Sequence, residues 1–227
     1  MNTRQSLVPV IAGTMVIYIL RHAHAVGKDG APDHHRRVSE KGKGQIAKFI
    51  EKYGALSPDL LVTTELFRAT ETANGILAPT AGPFLAMPHG FSLPIGKGEA
   101  AELCDRGYVM LGHKSVAVYA DPASYMVPVG ELPALSGDDA DQQVGAYTTQ
   151  CERMVRAVFH TVEEQIEMGR EVRTMLCMSH GNYGLGMLWV AAPDAFGSMI
   201  DMIVNELHGA KVTITNGKVE SVEAVTL

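Results

Sequence analysis

Residues 18–25 read YILRHAHA: an apolar run closes on Arg21 and His22, and His24 follows two places on. Two further segments carry residues of the same chemistry. TELFRATETA carries Arg68, and TMLCMSHG delivers His180. Between the first two lies DHHRR, with His34, His35, Arg36 and Arg37. Two chemistries fit such a set. An H-x-H pair with more imidazoles nearby could hold a metal, but a metal also needs carboxylate or further histidine ligands, and arginines beside it repel a cation. Two guanidinium groups and two imidazoles suit a phosphoryl group better. Guanidinium forks match phosphate oxygens in bidentate fashion and stay charged at any working pH. A neutral imidazole can then attack phosphorus directly.

That chemistry needs elements that bring the residues to one place. Met15–Leu20 (MVIYIL) is a continuous apolar run with β-branched residues and reads as a buried strand. Ser39 fits a helix N-cap. Ile46, Phe49, Ile50 and Tyr53 follow at helical spacing, and Gly54 stands past the end. Pro58 precedes a second strand, Asp59–Thr63. Thr64 fits the cap of the next helix, whose apolar stripe is Leu66, Ala69, Ala73, Ile76 and Leu77, with Pro79 as its stop. Residues 78–148 are less regular. Phe84–Met87 and Val116–Tyr119 are candidate strands, and the region has room for an insertion or lid over the active face. A helix follows on Met154, Val155, Val158, Val162 and Ile166 and ends near Gly169. Thr174–Ser179 is another buried strand, ending in His180. Helices are expected from about Asn182 to Val190 and over Phe196–Leu207. A closing hairpin turns at Asn216-Gly217, the preferred type I′ pair.

The order β-α-β-α followed by a helix and a strand predicts an α/β chain with crossover helices. In such sheets ligands bind beyond the carboxyl ends of parallel strands. Arg21, His22 and His180 fall at such ends, and Arg68 falls in the first turn of the helix that follows the second strand. With strands about 5 Å apart, they share one pocket if their strands are adjacent and parallel.

At this point the residues match a known family. LRHAHA resembles the RHG/RHA signature of the histidine phosphatase superfamily, of phosphoglycerate mutase-like fold. VSEKGKGQ (38–45) resembles its L-T-x-x-G-x-x-Q helix start. TELFRATETA (64–73) resembles its S-x-L-x-R-A-x-x-T-A segment, with Thr64 for serine. MSHGN (178–182) resembles its second-histidine motif, and ELHGAKVTIT (206–215) its closing strand. The motifs stand in family order. The resemblance implies a three-layer α/β/α sandwich with a mostly parallel central sheet and an antiparallel C-terminal edge hairpin. It implies His22 as the phosphorylated nucleophile, with Arg21, Arg68 and His180 binding the transferring group. It also implies a carboxylic acid that protonates the leaving oxygen. GKGEAAELC offers Glu99, the preferred choice, and Glu102. Gly181 after the second histidine disfavours the acid phosphatase branch, which has Asp there. Ala23 in place of glycine resembles the short phosphohistidine phosphatases, although this chain is longer. The longer first-motif pattern of the mutases is missing, so hydrolysis is preferred to phosphoryl return. A non-catalytic phosphate-binding module stays open. His24 is expected at the substrate, within a basic rim formed with Lys28, His34, His35, Arg36 and Arg37.

The bulk numbers agree with one enzyme domain over residues 1–227. The 227 residues are 46% hydrophobic and 19% charged, as in ordinary globular proteins. A net charge of −6 is a poor basis for holding nucleic acid. Cys104, Cys151 and Cys177 lie far apart with no CxxC spacing, which points to a reducing compartment and to no structural zinc. The N-terminal apolar run is broken by Pro9, Gly13 and Thr14 and reads as a strand rather than a leader. With these numbers, the resemblance implies a cytoplasmic, metal- and cofactor-independent phosphohydrolase. Its partner is a phosphorylated small molecule or phosphoprotein, with no nucleic acid and no membrane.

Overall fold

The computed structural model describes Val8 and residues 11–27, 35–63, 66–79, 84–86, 152, 155–180, 187–188, 191 and 205–227. The expected strand at Val116–Tyr119, the lid within 78–148, Cys104 and Cys151 lie outside the described residues, apart from the few positions given for 78–86.

Six strands form one sheet: β1 (Thr14–Arg21), β2 (Leu60–Thr63), β3 (Phe84–Ala86), β4 (Thr174–Ser179), β5 (Gly209–Thr215) and β6 (Lys218–Val225). Their order across the sheet is β3-β2-β4-β1-β5-β6. The three pairings among β3, β2, β4 and β1 are parallel, and β5 and β6 add two antiparallel ones. Among the described residues, helices α1 (Glu40–Tyr53), α2 (Phe67–Ile76) and α3 (155–167) accompany the sheet, and 152, 187–188 and 191 are also helical.

Alternation along the strands sorts the core into two layers. Leu20, Leu61, Leu176 and Met178 pack with Phe49 of α1 and with Ala69, Ala73 and Ile76 of α2. On the other face Ile17, Ile19, Cys177, Val212 and Ile214 line an apolar seam with Val155, Val158 and Phe159 of α3. The result is an α/β/α sandwich. Burying each large apolar side chain contributes on the order of 2 kcal/mol. Burial also pushes the Cys177 thiol up to about 12, so it stays protonated and serves as a small apolar group.

Local chemistry explains the element ends. The Ser39 hydroxyl accepts the Gly42 N–H at 3.1 Å, which caps α1. Gly54 closes α1 at φ +76°, its N–H donating to the Ile50 carbonyl. The β5–β6 turn has both Asn216 and Gly217 at positive φ, as a type I′ turn requires. Two expectations are corrected. α2 starts at Phe67 with Leu66 in the cap position and no side-chain cap bond, so the cap is not Thr64, which lies outside the described residues. Leu66 is fully buried, and its burial sets the start of the helix in place of a polar cap. The helix expected to run to Leu207 does not reach it. Residues 205–207 form a turn in which Leu207 adopts φ +57° while its side chain is buried.

Gly209 pairs with Leu20 at the carboxyl end of β1. A Cβ on Gly209 would lie 1.9 Å from the Ile19 carbonyl oxygen, a rigid backbone atom. Gly209→Ala is therefore expected to destabilise the fold by about 3 kcal/mol, at the upper end of overpacking costs. Urea unfolding at neutral pH checks this through the midpoint shift.

Candidate active site

β1 and β4 run side by side with Arg21 opposite Ser179. The ladder continues one step further, with the His22 N–H donating to the Ser179 carbonyl at 3.0 Å. The residues that leave the two strand ends, His22 and His180, are thereby placed together. Their rings meet edge to face with centroids 5.0 Å apart. β2 lies on the other side of β4, and α2 begins just beyond it, so the first turn of α2 reaches the same ends. Arg68 is the second residue of α2 and the largest fully buried side chain among the described residues. Its Nε–H donates to His22 Nε2 at 3.2 Å. Arg21 and His22 leave the end of β1, His180 leaves the end of β4 beside it, and Arg68 reaches His22 from α2.

The partners of His22 fix its proton. Nδ1 lies 2.6 Å from the Ala23 carbonyl, which can only accept, so Nδ1 carries the hydrogen. Nε2 receives the Arg68 N–H and therefore presents a lone pair. Burial drives the His22 pKa down to about 3. The Ala23 carbonyl opposes this shift, and the charges of Arg68, Arg21 and Arg36 reinforce it. His180 is held well below the usual imidazole value by burial first, then by His22, Arg68 and Arg21. Both rings are neutral at pH 7. The site therefore combines fixed guanidinium charge with an uncharged imidazole nitrogen, an arrangement suited to a phosphate.

Two helices pin the loop that carries His22. The Ala23 N–H donates to Thr72 Oγ1 at 3.0 Å, and Thr72 donates to the Arg68 carbonyl at 2.6 Å. The His24 N–H donates to Gln45 Oε1 of α1 at 2.7 Å. Gly42 lets α1 approach this loop: a Cβ there would lie 2.2 Å from the His24 carbonyl oxygen. Thr72 and Gln45 were not among the expected site residues. Both stand inside the quoted motifs, at the T of R-A-x-x-T-A and the Q of G-x-x-Q, and that was the signal available.

His24, expected at the substrate, has its Nδ1 2.6 Å from the Ser39 hydroxyl, which also caps α1. The H-x-H metal pair loses its geometry here. Both nitrogens of His22 are engaged, one of them by a guanidinium, and His24 Nδ1 is engaged by Ser39. In the expected basic rim, the His35 ring stacks on Phe67 with centroids 5.6 Å apart, and the Arg37 guanidinium sits 4.3 Å from the same ring. Arg37 also pairs with Glu71, and Arg36 donates to the Val26 carbonyl. His208 meets the site through its backbone. Its carbonyl accepts the Arg21 N–H, and its ring accepts the Leu227 N–H. Glu99, Glu102, Lys28 and His34 lie outside the described residues.

Known structures share this architecture. A crystal structure of phosphoglycerate mutase from Bacillus anthracis str. Sterne superposes with a TM-score of 0.60 at 16% identity, covering 94% of this chain and 93% of that one. The structure described as mycobacterial hydrolase 1 superposes at 0.50 with 19% identity, covering 95% and 96%. No protein-family model matches the chain, and no curated protein matches it in sequence. The likeness establishes the fold as phosphoglycerate mutase-like, the fold of the superfamily that the sequence motifs resemble.

Proposed function

We propose that the chain is a histidine phosphatase: a metal-independent phosphohydrolase that turns over phosphomonoesters or phosphohistidine through a covalent intermediate on His22. One observation carries the reading. A neutral imidazole, its Nδ1–H committed to the Ala23 carbonyl, turns Nε2 toward the buried Arg68 guanidinium. Phosphate oxygens would take over the guanidinium N–H, leaving the Nε2 lone pair in line with phosphorus. Nε2 attacks, the P–N bond forms, and the bond from phosphorus to the leaving group breaks. The leaving atom takes its proton from a carboxylic acid, with Glu99 preferred over Glu102. Water then attacks phosphorus, the P–N bond breaks, inorganic phosphate departs, and the carboxylate receives the water proton. Arg21, Arg68 and His180 hold the oxygens on which charge develops. The substrate is a phosphorylated small molecule or protein.

Quenching into alkaline detergent during turnover of a ³²P-labelled phosphoester, with EDTA present, tests this. The expected result is acid-labile, base-stable label on residue 22 and turnover indifferent to the chelator. Turnover without label, or its loss with EDTA, overturns the proposal. The fold shared with a phosphoglycerate mutase favours one second reading, return of the phosphoryl group to a bound acceptor. Sustained interconversion of 3- and 2-phosphoglycerate with a bisphosphate primer would select it.

A further inference from the structure

We propose that Thr72 is a positioning residue: its hydroxyl, acting through Ala23, fixes the tautomer and the aim of His22. The inference rests on the reading of His22 as nucleophile and extends it to how the nucleophile is held.

The geometry is a chain of three hydrogen bonds. Thr72 has one hydroxyl proton, and the Arg68 carbonyl takes it at 2.6 Å. The lone pairs of Oγ1 are then left to accept the Ala23 N–H at 3.0 Å. The carbonyl of the same alanine accepts the Nδ1 proton of His22 at 2.6 Å. A threonine bonded to the carbonyl four residues back is common in helices and by itself means little. The second bond is what gives this one a role. A single hydroxyl joins the backbone of Arg68 to the backbone that orients His22, and those two side chains meet at 3.2 Å. Thr72 and Ala23 are both fully buried, so no water stands ready to replace the bond. The peptide after Ala23 is held from its other side by Gln45. With both peptides around Ala23 tied, the carbonyl has one place to be, and His22 Nδ1 must carry the proton that faces it. Nε2 is thereby kept as the nucleophilic nitrogen.

Removing the hydroxyl at constant volume leaves the buried Ala23 N–H without its acceptor, a loss the loop relieves by shifting. A shifted Ala23 carbonyl no longer selects the Nδ1–H tautomer. The expected cost falls on the reacting geometry, not on ground-state binding of the substrate.

The test compares Thr72→Val and Thr72→Ser with the parent, using p-nitrophenyl phosphate turnover and ¹⁵N NMR of histidine-labelled protein. The valine variant is expected to lose at least about 10-fold in kcat with KM within threefold. Its His22 resonances should show a substantial Nε2–H population that the parent lacks. Thr72→Ser, which keeps the hydroxyl, should restore both the tautomer and most of kcat. Thr72→Ala supplies the same comparison if the valine protein does not fold. A parent-like tautomer in the valine or alanine variant overturns the proposal, as does a serine variant that fails to restore it. The NMR readout needs no turnover, so it separates this inference from the identity of the reaction: a parent without phosphatase activity overturns the proposed function and leaves the tautomer comparison standing.

Discussion

His22→Ala is expected to lower phosphate release from p-nitrophenyl phosphate by at least about 10³-fold, the scale on which removal of a nucleophile acts. The loss should appear in kcat, because Arg21, Arg68 and His180 remain to bind the phosphate. The same variant carries a pH signature in stability. In the unfolded chain an imidazole binds a proton below about pH 6.5; in the folded protein His22 resists protonation down to about 3. Below pH 6.5 the unfolded state therefore holds more protons, and stability rises with pH. The contribution is fully present above about pH 6.5 and drains away as the pH falls toward 3, with His180 acting in the same direction. Removing His22 takes one such group out, so the variant should lose less stability than the parent between pH 7 and pH 5. Urea unfolding of both proteins at the two pH values measures this, and the cost of the cavity cancels in the difference. For the same reason the acid limb of kcat/KM in the parent should not fall at the ordinary histidine value of about 6.5 on account of free His22.

Arg68→Met is expected to reduce kcat/KM by about 10²–10³-fold, as removal of one preorganised oxyanion donor does elsewhere. Methionine fills much of the buried volume, so the reading is of charge and hydrogen bonding more than of packing. A binding measurement accompanies the rate. Inorganic phosphate should raise the melting temperature of the parent, by an increment worth about 2.7 kcal/mol at a hundredfold excess over Kd, and most of that increment should vanish in the variant. Arg68→Lys is expected to recover little. A lysine offers a mobile point charge in place of the fixed fork whose Nε–H meets His22 Nε2. An Arg68→Lys protein with parent rates would show that charge alone suffices, against the geometry described above.

The elements of the fold that the sequence announces are those with local causes. MVIYIL and TMLCMS are apolar on nearly every residue because β1 and β4 are central strands with a helical layer on each side. Ser39 and Gly54 bracket α1 because each end of a helix has its own hydrogen-bonding need. Asn216-Gly217 marks the hairpin because both positions require positive φ. Strand order has no such local cause. Nothing in TMLCMS says that it inserts between β1 and β2, yet that insertion is what sets His180 against His22. The polar residues divide in the same way. Arg21, His22, Arg68 and His180 are conspicuous because charge and imidazole stand at the ends of apolar strands or in a recognisable motif. Thr72 is not, since a threonine within a helix has the look of any polar residue until its acceptor is seen. His24 reads from the sequence as a substrate-facing residue of the basic rim for the opposite reason: its anchor, Ser39, lies a whole loop away in sequence. Glu99 and Glu102 stand in a glycine-rich stretch with no periodicity to say which carboxylate faces inward.

The position of β1 between β4 and β5 sets a schedule for the nascent chain. β1 finds both of its neighbours only after β4 and β5, far along the chain, have been made. Contacts of such high sequence separation slow folding, because long loops must close before any pairing rewards them. A nascent chain that stops short of β4 exposes two unpaired, strongly apolar edges on Thr14–Arg21, an invitation to pair with another copy or to engage a chaperone. His22, the proposed nucleophile, is made before β4, so a chain that stops short of β4 lacks the strand end that sets His180 against it.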